Sequence, residues 1–534
     1  MRSRRSVPGD LKRHRETAAL QPPAMQSSSS GSELLLPLSE ALRLPIEQVN
    51  FAMCQFFGLF AALLFRYYLH PSKTSHAIRH AVVTLLGLHF AFFCFGRYAI
   101  YFLGEVILLY GVMVMVHIKS IHKYTFLAAM TYLTICQIIR VYVLDSEECS
   151  ADFSGPLMVI TQKVTKLAFE LHDGLARDDK ELSLSQKRLA VRRIPSLLEY
   201  VSYNLNFMGI LAGPLSSFND YISFIEGRNF EAGQVPLANG TERKACSLNE
   251  PSPLVRVKWE HAVCSVCVVV HLSLNERFLV GYNNDDDFMA RSSQPLRLLY
   301  LYTSLMAHRP KYYFAWTIAD AVNNAAGFGF NGYDRHGQPR WDLASNLNID
   351  KIEFATSMKM FIDNWNMQTA VWLKEVCYDR CPFCPTLLTF LLSAVWHGVY
   401  PGYYFTFMTG MLVTLAARAV RSNLRPYFLV SPARKAFYDL VTWATTQIVV
   451  SYTVAPFVLL YMDSSLKFYR SWHFNLHIIA IALILVLPKK PKGASKEQRR
   501  PQEAKPLEMA HHCNGHRNGY APMNTNQNHR MKID

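Results

Sequence analysis

Apolar residues recur along the chain in runs of near-spanning length, separated by shorter polar and basic connectors. The runs lie at about 50–65, 82–96, 98–116, 124–143, 197–215, 256–274, 296–306, 387–416, 440–461 and 474–487. A helix needs roughly 20 apolar residues to cross a bilayer, and fewer when it is buried in a bundle. The runs lack the alternation of barrel strands, and only helices or closed barrels satisfy the backbone in lipid. The pattern predicts an all-α, polytopic integral membrane helical bundle of about nine to twelve spans.

Between about 307 and 386 the pattern changes. Aromatic stretches such as Lys311-Tyr312-Tyr313-Phe314-Ala315-Trp316 and Trp341-Asp342-Leu343-Ala344-Ser345-Asn346-Leu347 are dotted with Asn and Asp. They read as re-entrant or interfacial helices around an internal cavity, where irregular backbone is covered by protein or water. A Gly/Pro-punctuated stretch, Phe207-Met208-Gly209-Ile210-Leu211-Ala212-Gly213-Pro214, predicts a broken or tightly packed helix. Residues 1–35 form a basic leader with the run Ser27-Ser28-Ser29-Ser30-Gly31-Ser32, and residues 491–534 a polar tail; both read as disordered. Residues 36–490 form the membrane domain. The halves show no inverted repeat, which weighs against a transporter.

Of 534 residues only 18% are charged, below the roughly 25% of soluble domains. The net charge of +15 is concentrated in tails and loops, including Arg177, Lys180, Lys187, Arg188, Arg192 and Arg193. This distribution follows the positive-inside rule or attracts anionic head groups, and either reading puts these segments and both termini on the cytosolic side. No nucleic-acid motif accompanies the charge. No signal peptide precedes the first span, so that span itself targets the chain. The eleven cysteines do not form a secreted disulfide pattern. The sequon Asn239-Gly240-Thr241 matters only if its loop is lumenal.

Candidate chemistry begins with His397, in the apolar stretch Ser393-Ala394-Val395-Trp396-His397-Gly398-Val399-Tyr400-Pro401-Gly402-Tyr403-Tyr404. An ionisable group at membrane depth is expensive and is usually kept for function. On one helix Ser393, His397 and Tyr400 would share a face. Upstream, Asn366, Thr369 and Leu373 would share another, beside Trp365 and Trp372. Burial favours a neutral imidazole. Such a base is worth roughly 10²–10⁴ in rate, and an amide aimed at an oxyanion roughly 3–4 kcal/mol. A packed core histidine explains the spacing equally well.

Trp365-Asn366…Thr369…Trp372-Leu373 and Trp396-His397-Gly398-Val399-Tyr400-Pro401-Gly402-Tyr403-Tyr404 resemble the motifs of the membrane-bound O-acyltransferase family. Lys311 to Trp316, Asn323-Asn324-Ala325-Ala326-Gly327-Phe328-Gly329-Phe330 and Gly213-Pro214…Phe218…Tyr221 resemble its lysophospholipid branch; the likeness covers roughly residues 35–490. The resemblance implies acyl transfer to the free glycerol hydroxyl of a lysophospholipid in the endoplasmic reticulum membrane, for phospholipid remodelling. Acyl-CoA would be a co-substrate, with no cofactor and no metal. It further implies oleoyl-CoA as donor and lysophosphatidylethanolamine as acceptor, with lysophosphatidic acid and lysophosphatidylcholine as further acceptors. His397 would be the catalytic base, and Asn366 would position or stabilise. Lys374 and Arg380 would bind the CoA phosphates, with Arg309 and Lys311 as rivals; Trp365 and Tyr403 would line the substrate path. Snorkelling cations and aromatic-belt packing are the ordinary alternatives for those residues. Oligomeric state is left open by the sequence. Competing functions are an O-acyltransferase acting on a protein or sterol, and a non-enzymatic lipid transporter.

Weaker signals stand apart from this site. Cys377, Cys381 and Cys384 lack an obvious fourth zinc ligand. The His511-His512-Cys513…His516 tract sits in the tail. Asn283-Asn284-Asp285-Asp286-Asp287 lacks the glycine and glutamate of a calcium loop, and His172-Asp173 reads as a cap or surface pair.

Overall fold

The computed structural model of the chain describes residues 31–144, 152–230 and 250–488. Most of the leader, the Asn239 sequon and the 491–534 tail with its His511 tract lie outside the described residues. Among the described residues the regular structure is helical, apart from one bridge between Tyr333 and Pro339. The helices used below are α1 (Ile46–Tyr68), α2 (His76–Phe95), α3 (Ala99–Met115), α4 (Ile121–Ile139), α5 (Ser154–Ala176), α6 (Leu197–Leu205), α7 (Leu254–Leu274), α8 (Gln294–His308) and α9 (Pro310–Ala326). They continue with α10 (Met367–Leu373), α11 (Pro385–His397), α12 (Pro401–Phe428), α13 (Pro432–Leu459), α14 (Met462–Ser471) and α15 (Asn475–Val486).

Local chemistry sets many of these boundaries. The Ser75 hydroxyl accepts the Ile78 N–H at 3.4 Å to start α2, and Ser196 with Glu199 forms a capping box at α6. Proline occupies the first turn of α9, α11, α12 and α13, where its missing N–H costs nothing.

Among the described residues four helical stretches are long and apolar enough to cross a membrane: α1, the continuous stretch His76–Met115 holding α2 and α3, Ile118–Leu144 holding α4, and α7. Together α14 and α15 make a fifth if counted as one span bent by 71°. Their outer faces are apolar: Leu85, Ile107, Leu127 and Val266 are each more than three-fifths exposed. Polar groups turn inward instead, with Glu105, Thr161, Gln162 and Lys163 buried. That arrangement suits a hydrocarbon solvent, in which exposed apolar surface costs nothing and polar groups must find partners inside.

Two of the apolar runs are divided rather than continuous. The run at 197–215 holds only the nine-residue α6, about 14 Å long, followed by tight turns. A Cβ on Gly213 would lie 2.1 Å from the Gly209 Cα, so these turns close only around glycine, as the expected break at 207–214 requires. The run at 387–416 splits into α11 and α12 at Gly398. Conversely, α5 does not figure among the apolar runs, because Lys163, Lys166 and Glu170 interrupt it. It is nevertheless almost wholly buried, packed on α3 and α4.

Candidate active site

The site is built on one face of α5. Met158, Gln162, Thr165 and Phe169 recur at helical spacing; the first three hold parts of the two motif segments, and Phe169 lies under Arg380 beyond them. The Gln162 amide donates to the Thr369 hydroxyl at 2.9 Å, and the Thr165 hydroxyl accepts the Trp372 indole N–H at 2.9 Å. The Trp396 indole N–H donates to the Met158 carbonyl at 3.0 Å. Thus α10 and α11 hang from points one helical turn apart, roughly 6 Å along the axis. Trp372 and Trp396 meet with ring centroids 5.8 Å apart, closing the gap between the two helices. From α4, the Gln137 amide donates to the Trp396 carbonyl at 2.9 Å.

His397 is the last residue of α11. Gly398 ends the helix at φ 137, a conformation that other residues resist, and Pro401 starts α12. The imidazole stacks on Phe407 at 4.9 Å and meets the edges of Phe457 at 5.0 Å and Tyr403 at 5.8 Å. Neither ring nitrogen has a hydrogen-bonding partner among the described residues, yet the side chain is only half-buried. Aromatic walls therefore hold the ring while its nitrogens stay available.

Asn366 precedes α10 in the left-handed region, at φ 47 and ψ 54, a conformation asparagine tolerates. Its Oδ1 accepts from the Asn346 amide at 3.0 Å. Trp365 sits among Trp316, Tyr312, Tyr313 and Phe361.

The two faces expected from helical spacing are each broken by these caps. Tyr400 leaves the Ser393–His397 face because α11 ends at His397, and it becomes the N-cap of α12. Asn366 lies outside α10, so Thr369 turns toward α5 rather than sharing its face.

Of the candidate phosphate ligands, Lys374 is exposed and pairs with exposed Asp379 at 2.8 Å. The Arg380 guanidinium is held by Asp173 through bonds of 3.0 and 2.5 Å, by the Glu375 carbonyl at 2.7 Å, and over the Phe169 ring at 4.7 Å. Buried Arg309 is tied to Glu353 and Gln447, and Lys311 lies against the Tyr312 ring. The Asp-rich loop has structural work: Asn284 donates to the Ser464 carbonyl and Asp285 caps the Phe288 N–H. Asp173 also binds Arg177, so His172-Asp173 joins a cluster linking α5 to the segment after α10. The Cys377 and Cys381 sulfurs lie 3.8 Å apart.

Sequence reasoning missed Gln137, Asn346 and the α5 stripe. The spacing of Met158, Gln162, Thr165 and Phe169 was the available signal. For Asn346 there was none beyond its place in an Asn- and Asp-dotted stretch.

A family profile described as "MBOAT, membrane-bound O-acyltransferase family" matches residues 50–455. The chain is 57% identical over 474 residues to "Membrane-bound glycerophospholipid O-acyltransferase 2" of Gallus gallus, covering 89% of this chain and 91% of that protein. It is 54% identical over 482 residues to "Membrane-bound glycerophospholipid O-acyltransferase 1" of Homo sapiens, with 90% and 97% covered. Against "Lysophospholipid acyltransferase 6" of Drosophila melanogaster the identity is 41% over 477 residues, covering 89% of this chain and 66% of that protein. With the motif histidine and asparagine segments both hung on α5 and the family profile spanning most of the bundle, this multi-pass membrane protein belongs to the membrane-bound O-acyltransferase family.

Proposed function

We propose that the chain is a lysophospholipid acyltransferase that moves a fatty acyl group from acyl-CoA to the free glycerol hydroxyl of a lysophospholipid. The observation that carries this reading is the half-buried His397 ring, whose nitrogens have no partner among the described residues, on a segment whose Trp396 meets Trp372 of the helix that follows Asn366. The family membership and the names of the relatives support it.

In this scheme a neutral His397 accepts the hydroxyl proton as the glycerol oxygen attacks the thioester carbonyl carbon. The C–S bond breaks as the new ester C–O bond forms, and the proton passes to the departing CoA thiolate. No acyl-enzyme and no cofactor are needed. Asn366 steadies charge on the carbonyl oxygen, and the protein's main contribution is to bring two amphiphiles together. Trp365 and Tyr403 line the substrate path. Lys374 is the cation most available to the CoA phosphates, since Arg380 is already committed to Asp173 and contributes through that pair. Oleoyl-CoA and lysophosphatidylethanolamine are the proposed substrates, and the endoplasmic reticulum membrane is the proposed location, with both termini cytosolic. The full count of about nine to twelve crossings belongs to the same proposal: helices such as α12 and α13, each 28 residues, have the length to span.

His397→Ala should abolish oleoyl-CoA-dependent acylation of lysophosphatidylethanolamine in microsomes at unchanged expression. Retained turnover would refute the base assignment.

A further inference from the structure

Asn366 is held by a residue far from it in sequence. The Gln368 backbone N–H donates to the Asn346 Oδ1 at 3.0 Å, and a backbone N–H can only donate. That bond fixes which end of the Asn346 amide is oxygen. Its nitrogen must therefore face Asn366, where it donates to Asn366 Oδ1 at 3.0 Å. The Asn366 amide is thereby oriented in turn: its oxygen is occupied, and its NH2, which has no partner among the described residues, points away. Two amide orientations that are ordinarily interchangeable are settled by one peptide N–H.

The loop carrying Asn346 is itself secured. The Met367 N–H donates to the Asn346 carbonyl at 2.8 Å, and the Ser345 hydroxyl donates to Asp320 at 2.7 Å. The Gln368 amide bonds the Leu343 and Ser345 carbonyls, each at 3.3 Å. Asn346 is 6% exposed, so water does not compete for its amide.

Resting on the acyl-transfer reading above, we infer that Asn346 is a positioning residue that sets Asn366 as a hydrogen-bond donor toward the reacting acyl carbonyl. With the Asn366 amide reversed, an acceptor oxygen would face the developing oxyanion and repel it.

Asn346→Asp tests this. One carboxylate oxygen still accepts from Gln368, and the backbone bond from Met367 is untouched, so the loop keeps its anchors. The other oxygen can only accept while ionised, which draws the Asn366 NH2 toward it and turns the Asn366 oxygen to the substrate. With purified protein, oleoyl-CoA and lysophosphatidylethanolamine, kcat at pH 7.5 should fall about 10²-fold, the scale of losing one oxyanion donor. KM for oleoyl-CoA should stay within about twofold, because uniform binding is unaffected. The variant-to-wild-type kcat ratio should rise as pH falls, since protonation returns a donor to the carboxyl. A wild-type kcat at pH 7.5, or a ratio flat with pH, overturns the inference.

If Asn346→Asp fails to fold, a cycle with alanine keeps the question open to test. Asn346→Ala should lower kcat in the wild-type background but change nothing further in Asn366→Ala, because it acts through that amide. Additive losses would overturn the inference. Failure of the acyl-transfer reading looks different: the wild-type protein itself would show no acyl-CoA-dependent product.

Discussion

Gly398 shows how one residue both ends a helix and frames the imidazole proposed as the base. Its φ of 137 is open to glycine, and a Cβ placed there would lie 3.2 Å from the Tyr403 ring and 3.7 Å from the Gln137 side chain. Gly398→Ala therefore combines backbone strain of about 1–3 kcal/mol with a push on the ring beside His397. We expect a lower melting temperature in detergent and a kcat reduced by about tenfold to 10²-fold, the range that small misplacements of reacting groups produce. A variant that melts and turns over like wild type would show that the corner is not tuned. The roles proposed for His397 and Asn366 were suggested by the sequence, the first because an imidazole inside an apolar run is costly and both because their segments resemble the family's motifs. Asn346 gave no such signal, since the role inferred for it depends on a contact across twenty residues that hold the short helices Ile349–Glu353 and Met358–Ile362, and nothing local marks it.

At the scale of the element, α5 carries the site while looking unlike a membrane helix. Its charges are what the apolar pattern rejected and what the fold uses. Lys166 lies between Glu170, at 3.4 Å, and Glu375, which it also hydrogen-bonds just beyond α10. Lys166→Met would leave buried Glu170 and half-buried Glu375 without their cation, a loss of up to about 3–5 kcal/mol, the cost of breaking a buried pair. We expect a clear drop in melting temperature, with part of it regained when Glu375→Gln is added, because one orphaned charge is then removed. Equal melting of Lys166→Met and wild type would mean that these groups are not coupled. The helices with unbroken apolar faces, α1, α2, α3, α4 and α7, were readable because lipid exposure demands one uniform residue type. The split of 387–416 was not, because Gly398 and Pro401 interrupt the helix without interrupting its hydropathy.

For the whole molecule, sidedness decides how the substrates arrive. Arg177, in the basic loop after α5, and Arg380, after α10, both bind Asp173, so the two segments lie at one end of the bundle. The positive-inside rule assigns the basic 177–193 loop to the cytosol, and the shared aspartate carries Arg380 and Lys374 with it. Cys384 follows four residues later and is exposed, whereas Cys54, Cys94, Cys136, Cys264, Cys267 and Cys377 are buried. A variant retaining Cys384 as its single cysteine gives a direct reading. In sealed microsomes whose outer face is cytosolic, a membrane-impermeant maleimide should label it without permeabilisation. Preincubation with oleoyl-CoA should slow that labelling if Lys374 contacts the CoA phosphates nearby. Labelling that required detergent would put this end of the bundle in the lumen. A water-soluble CoA donor made in the cytosol would then meet the wrong face, and the proposed roles of Lys374 and Arg380 would fall together, while the chemistry assigned to His397 would still stand.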